Sequence, residues 1–237
     1  DSLASRGLGD VYKRQPLNSI IGYSELIEEQ ELVQRNAQVR EDIRRVLQAS
    51  RHLLNVINGV LDMARIESGK LSVSLSDVCL PTLLREIEET ARPLMQPNAN
   101  ELRLEMDAGI QYFRTDPHLI RQMLLNLLAN AARFTHDGQV TLEAQRDRSH
   151  LRLRVRDTGV GIPADKTHRL FEPFFQVDER SGGTGLGLPI VQQLAQGLGG
   201  GIEIRSQVGV GTTVDLYFPF IAPDAAPVSY THLRAHE

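Results

Sequence analysis

Asn126 and Asn130 lie four residues apart in an otherwise apolar run from Met123 to Ala132, so they share one face of a helix. A carboxamide oxygen is a hard, neutral ligand for Mg²⁺ that leaves room for phosphate oxygens. Arg133 follows within a turn and can meet phosphate as a cation. The alternative is that both amides cap or bridge buried backbone groups. Further along, Asp157-Thr-Gly159-Val-Gly161 ends a strand in a glycine-rich turn. A buried carboxylate there can accept the exocyclic amine of adenine, and two glycines let the backbone approach a base with no Cβ between. An ordinary strand-end turn would read the same way. Gly182-Gly-Thr-Gly185-Leu-Gly187-Leu188 then opens a helix whose unpaired N–H groups suit an anion, although a ligand-free loop is equally glycine-rich. Between the two motifs, Phe171, Phe174 and Phe175 are expected to anchor the base of a loop in the core. Each motif is weak alone. In this order along residues 126–188 they describe one site for Mg-ATP under a mobile lid.

The elements that must position these residues follow from periodicity. Helices are expected over Pro16–Leu32, Val39–Ser68, Pro81–Met95, Pro117–Phe134 and Gly185–Leu198. Strands are expected at Leu71–Leu75, Leu102–Met106, Gln111–Arg114, Val140–Arg146, Leu151–Arg156, Gly201–Ser206 and Thr212–Phe218, with a loop over Thr158–Thr184. Strands in runs beside segregated helices indicate an α+β sandwich with an antiparallel or mixed sheet. The second helix carries a heptad seam, Ile43, Val46, Ser50, Leu53, Ile57, Val60 and Ala64, with charges on its other face. Two helices cannot bury such a seam well by themselves, so the expected form is a homodimer in which two antiparallel hairpins make a four-helix bundle.

Composition narrows the classes of function. A net charge of −4 leaves no basic footprint for nucleic acid. Cys79 is the single cysteine, which excludes an internal disulfide and fits a buried thiol in a reducing compartment. No run of 18 apolar residues is present, so the expectation is a cytoplasmic chain whose parent meets a membrane only through a sensor region outside this sequence.

The segment from Asp116 to Thr213 resembles the ATP-binding catalytic domain of sensor histidine kinases. The order matches that family's N box, first glycine box, F box and second glycine box, with Gly209-Val-Gly211-Thr-Thr213 similar to its last glycine box. Pro16-Leu-Asn-Ser-Ile-Ile-Gly-Tyr-Ser-Glu-Leu resembles the sequence after the family's phosphoacceptor histidine, and Leu61–Lys70 resembles its second-helix ending. The resemblance implies a Bergerat (GHKL) sandwich. By position it implies Asn130 as the Mg²⁺ ligand, Asn126 as its polar partner, and Arg133 and Phe134 at the nucleotide. Asp157 would read adenine, with Gly159 and Gly161 lining the base and Thr213 supporting Asp157. Gly183, Thr184, Gly185, Leu186, Gly187 and Leu188 would close on the phosphates. Gln176 stands where many relatives carry a basic residue. The implied divisions are phosphotransfer helices at 16–70 and a catalytic domain at 71–221, between tails at 1–15 and 222–237 that read as non-native. The implied partner is a response-regulator receiver domain.

One position departs from the family. Its first-helix motif reads His-Glu-Leu-Arg-Thr-Pro; counting back from Pro16, this chain has Val11 at the acceptor, Tyr12 at the neighbouring base and Gln15 at the hydroxyl. Covalent phosphotransfer requires an imidazole there. The mismatch ends abruptly at Pro16, as truncation would leave it, so the natural protein is expected to carry a histidine. His52, His118, His136, His150 and His168 are expected at the surface. Two other readings remain: a non-catalytic ATP-binding scaffold with Val11 genuine, or another ATPase of the same superfamily. The latter usually places a glutamate base where Asn126 stands.

Overall fold

A computed structural model describes residues 17–28, 36–67, 72–107, 109–146, 149–178 and 184–221. Val11, Tyr12, Gly183, both tails and the end of the second helix lie outside the described residues, as does the side chain of His52. Two compact units emerge. One joins Val73–Pro163 to the chain from Ala195 onward; the other joins the residues up to Ser72 to Ala164–Leu194.

The first unit is built on a five-stranded sheet in the order β2-β4-β5-β7-β6. These strands are β2 (Glu101–Met106), β4 (Gln139–Arg146), β5 (His150–Asp157), β6 (Gly201–Gln207) and β7 (Gly211–Pro219). β2 runs parallel to β4 and every other pairing is antiparallel, so the sheet is mixed. Alternation explains its two faces. Val140, Leu142, Ala144, Leu151, Leu153, Val155, Val214, Leu216 and Phe218 are buried on one side. Glu143, Arg154, Asp215 and Glu203 line up in register across the other.

Two helices cover the apolar face. In α3 (Leu80–Met95), Leu80, Leu83, Leu84, Ile87, Ala91 and Met95 are buried at helical spacing. In α4 (Pro117–Phe134) the buried stripe is Leu119, Ile120, Met123, Leu124, Leu127, Leu128, Ala131 and Ala132. Each fully buried leucine or isoleucine contributes roughly 1.5–3 kcal/mol, so these stripes hold both helices on the sheet.

Both ends of α4 are fixed by side chains. Asp116 accepts from the N–H groups of His118 and Leu119 through Oδ1 at 3.0 and 3.3 Å, with Pro117 in the first turn. At the other end the Asn98 and Asn100 amides donate to the Ala132 carbonyl at 2.9 and 3.0 Å, and Asn100 also donates to the Thr135 carbonyl. From the sequence, Gln96–Asn100 reads only as a turn; its asparagines prove to be caps for a distant helix.

A separate antiparallel pair joins β1 (Ser76–Cys79) to β3 (Tyr112–Thr115). The expected strand at Leu71–Leu75 is therefore displaced. Val73 and Leu75 are exposed, and the Ser74 N–H donates to Asp116 Oδ2 at 2.9 Å instead of to a strand partner.

The second unit contains α1 (residues 17–28) and α2 (Ala37–Glu67). It also contains the short α5 (Ala164–Thr167) and the first two turns of α6 (Gly187–Gly197), which begins two residues later than the sequence suggests. Leu17, Ser24, Leu47 and Ser50 are buried. The heptad seam divides: Ser50 is buried, whereas Val46, Leu53 and Val60, seven residues apart, are exposed. On α1, Ile20 and Ile27 are also seven apart and exposed.

Candidate nucleotide-binding site

α4 carries Asn126 and Asn130 on one face, both half-buried. Neither carboxamide has a hydrogen-bond partner among the described residues, so they do not cap or bridge buried backbone. Arg133 and Phe134 lie exposed at the end of the same helix. The Phe134 carbonyl accepts from the Val160 N–H at 3.1 Å, which ties the glycine turn to α4.

β5 ends at Asp157, whose Oδ1 accepts from the Gly159 N–H at 2.9 Å and the Thr212 N–H at 3.2 Å. Oδ2 has no partner among the described residues. Burial pushes the Asp157 carboxyl above the usual aspartate value, and the two N–H groups oppose that shift. The result is a half-buried carboxylate with one oxygen held in place and the other available to a donor.

The backbone support comes from Thr212, not Thr213. Thr212 is the register partner of Asp157, whereas Thr213 pairs with Arg156 and so sits on the opposite face of the sheet. A one-residue register difference decides this, and sequence spacing cannot resolve it. Ser206 also escapes sequence reasoning. Its hydroxyl accepts from the Ile162 N–H at 2.8 Å and lies 2.8 Å from the Thr212 hydroxyl, so it braces the turn from β6.

Packing within the protein accounts for both glycines of the turn. A Cβ on Gly159 would collide with the Phe134 carbonyl and lie 2.9 Å from Thr135 Oγ1. Gly161 has φ +70°, and a Cβ there would meet the Gln207 carbonyl. These positions need glycine to hold Asp157 in place, whether or not a base also lies against them.

In the second unit, Thr184, Gly185, Leu186, Gly187 and Leu188 lead into α6. Gly185 has φ +69°, its carbonyl accepts from the Phe174 N–H at 3.0 Å, and a Cβ would strike the Phe174 backbone. The Thr184 hydroxyl accepts from the Leu186 N–H at 3.2 Å. The first turn of α6 offers backbone N–H groups with glycine at its start, as an anion site requires. Phe174 does not anchor a core: it is 60% exposed. Phe175 instead stacks under the Arg169 guanidinium, 4.2 Å from its ring centre. His118, His136, His150 and His168 are exposed.

Two family models match this chain in succession. Residues 14–69 match the His Kinase A (phospho-acceptor) domain, and residues 115–222 match the Histidine kinase-, DNA gyrase B-, and HSP90-like ATPase. The chain belongs to the sensor histidine kinases. It is 36% identical to the autoinducer 2 sensor kinase/phosphatase LuxQ of Vibrio parahaemolyticus, over 87% of this chain and 25% of that protein. It is 38% identical to the sensor histidine kinase AruS of Pseudomonas aeruginosa, over 84% of this chain and 21% of that protein. The crystal structure of full-length ShkA in complex with AMPPNP matches with a TM-score of 0.77 and 32% identity, covering 94% of this chain and 46% of that one. The chain spans between about a fifth and two fifths of the length of curated relatives like these, and 25% of LuxQ. No helix among the described residues is long and apolar enough to cross a membrane.

Proposed function

We propose that this chain is the ATP-dependent core of a sensor histidine kinase that phosphorylates a histidine in its own helical domain and passes the phosphoryl group to an aspartate of a response-regulator receiver. The observation that carries this reading is Asp157, with Oδ1 held by two backbone N–H groups and Oδ2 left for the adenine amine. Mg²⁺ would neutralise phosphate charge, and the unpartnered carboxamides of Asn130 and Asn126 fit it as hard oxygen ligands. Arg133 adds a cation for phosphate. Gly183 through Leu188 supply backbone N–H groups to the phosphates. Orientation and charge stabilisation are what phosphoryl transfer asks of a protein. Residues 16–70 serve as the dimerisation and phosphotransfer helices and 71–221 as the catalytic domain. The exposed Val46, Leu53 and Val60 support a homodimer through α2. The helical and catalytic segments work in the cytoplasm.

A second reading takes Val11 as a genuine residue of the acceptor position, and the chain as written then binds ATP without labelling itself. Labelling with γ-phosphate-labelled Mg-ATP tests both. The Val11→His, Tyr12→Glu chain should gain acid-labile, base-stable label while the unaltered chain gains none. Absence of label in a restored chain that binds ATP would overturn the kinase reading. Acid-labile label on the unaltered chain would show that another histidine accepts phosphate.

A further inference from the structure

Two glycines stand inside the helices of the second unit, Gly22 in α1 and Gly59 in α2. Glycine is a poor helix former, so each interior position invites an explanation. A Cβ at Gly22 would meet nothing within 4 Å. Gly59 differs: it is buried, and a Cβ there would lie 2.8 Å from Leu186 Cδ1, 3.3 Å from Leu186 Cβ and 3.4 Å from Ile190 Cδ1. Leu186 and Ile190 are one turn apart, and both are almost fully buried, at 1% and 5% exposure. The missing side chain on α2 thus makes a socket that receives two apolar side chains at the start of α6.

Leu186 lies between Gly185 and Gly187, and its N–H is held by the Thr184 hydroxyl. Its side chain is seated on α2 while its backbone belongs to the phosphate loop. We infer that Gly59 is a positioning residue: by seating Leu186 and Ile190 it lets the phosphotransfer helix set the backbone of the Thr184–Leu188 loop. This inference rests on the assignment of that loop to the phosphates of ATP. A segment held on both sides is organised before the nucleotide arrives, so displacing its anchor weakens phosphate contacts and spares the adenine contacts at Asp157. The coupling is reciprocal: nucleotide phosphates strengthen the seating of Leu186 on α2.

The test uses the full chain. Gly59→Leu fills the socket and should weaken ATP binding about tenfold, an ordinary coupling between sites, while adenosine binding is unchanged. Gly59→Ala should fall between the two. Equal loss of ATP and adenosine, or no loss of either, would overturn the positioning role. A cysteine pair covers the case in which Gly59→Leu does not fold. In a Cys79→Ser background, Gly59→Cys with Leu186→Cys places two Cβ atoms 3.3 Å apart, near the ~3.8 Å of a disulfide. Mild oxidation should close a bond within one chain, and ATP should accelerate closure more than adenosine does. Failure to close, closure only between chains, or no difference between the two ligands would overturn the inference. If the unaltered chain binds neither ATP nor adenosine, the nucleotide assignment fails on its own, and the cysteine pair still decides whether the socket exists.

Discussion

The end of β5 and the middle of β7 each carry an aspartate on the same sheet, and the two are treated in opposite ways. Asp215 is fully buried. Arg154 donates to both of its oxygens, at 2.6 and 3.1 Å, and Arg205 donates to Oδ2. The Asp215 carboxylate beside Arg154 raises the arginine's pKa, and Glu143, 3.6 Å from the same guanidinium, extends the row. Asp157 is only half-buried, meets no cation among the described residues, and holds one oxygen in reserve. A carboxylate with both oxygens paired to guanidinium groups is a fastener. A carboxylate that is desolvated, oriented and incompletely satisfied is equipped to receive a ligand.

The contrast breaks most visibly at Asp215. Asp215→Ala leaves Arg154, 19% exposed, without its main partner and should destabilise the sheet by about 3 kcal/mol, the lower end for a broken buried pair, because Glu143 stays beside Arg154 and Arg205 is half exposed to solvent. Denaturant unfolding checks this, and the folded fraction should bind ATP as before. Asn130→Ala should cost about tenfold in ATP affinity with Mg²⁺ present and much less with EDTA, because only the metal-dependent part is removed. A loss indifferent to Mg²⁺ would take Asn130 away from the metal.

The smallest effect is in pH. Burial holds the folded-state pKa of Asp157 above its unfolded value, so between the two values the folded chain binds more protons. This group's contribution to stability therefore declines as pH rises from the unfolded value through the folded one, then levels off. ATP binding runs the other way: it needs the carboxylate and should weaken as pH falls, starting at a higher pH than for an exposed aspartate. Both trends should vanish in Asp157→Asn.

Much of this architecture is legible in the sequence because it rests on long periodic segments. α4 has the expected ends, Pro117 and Phe134, because an aspartate cap, a proline and an uninterrupted apolar stripe agree. The hairpin of β4 and β5 follows from alternation, whereas the parallel pairing of β2 with β4 decides between the antiparallel and mixed sheets that alternation left open. What escaped depends on pairing across long separations. β1 moved to Ser76–Cys79 because Asp116 captured the Ser74 N–H from 42 residues away. Thr212 replaced Thr213 because register, not motif spacing, decides which residue faces Asp157. The Asn98 and Asn100 caps and the Ser206 brace likewise join segments that no local window contains. Sequence also supplied a partial reason for Gly159 and Gly161: their smallness is demanded by the protein's own backbone.

The most direct measurement is calorimetric titration of the chain and its Asp157→Asn variant with Mg-ATP and Mg-GTP, alongside their unfolding curves. The account predicts that the chain binds Mg-ATP in preference to Mg-GTP. Asp157→Asn should lose about a hundredfold in ATP affinity, as expected when a site's buried polar group no longer matches its ligand, with no loss of stability. Undiminished ATP affinity in Asp157→Asn would contradict the account and reduce Asp157 to the kind of fastener that Asp215 is.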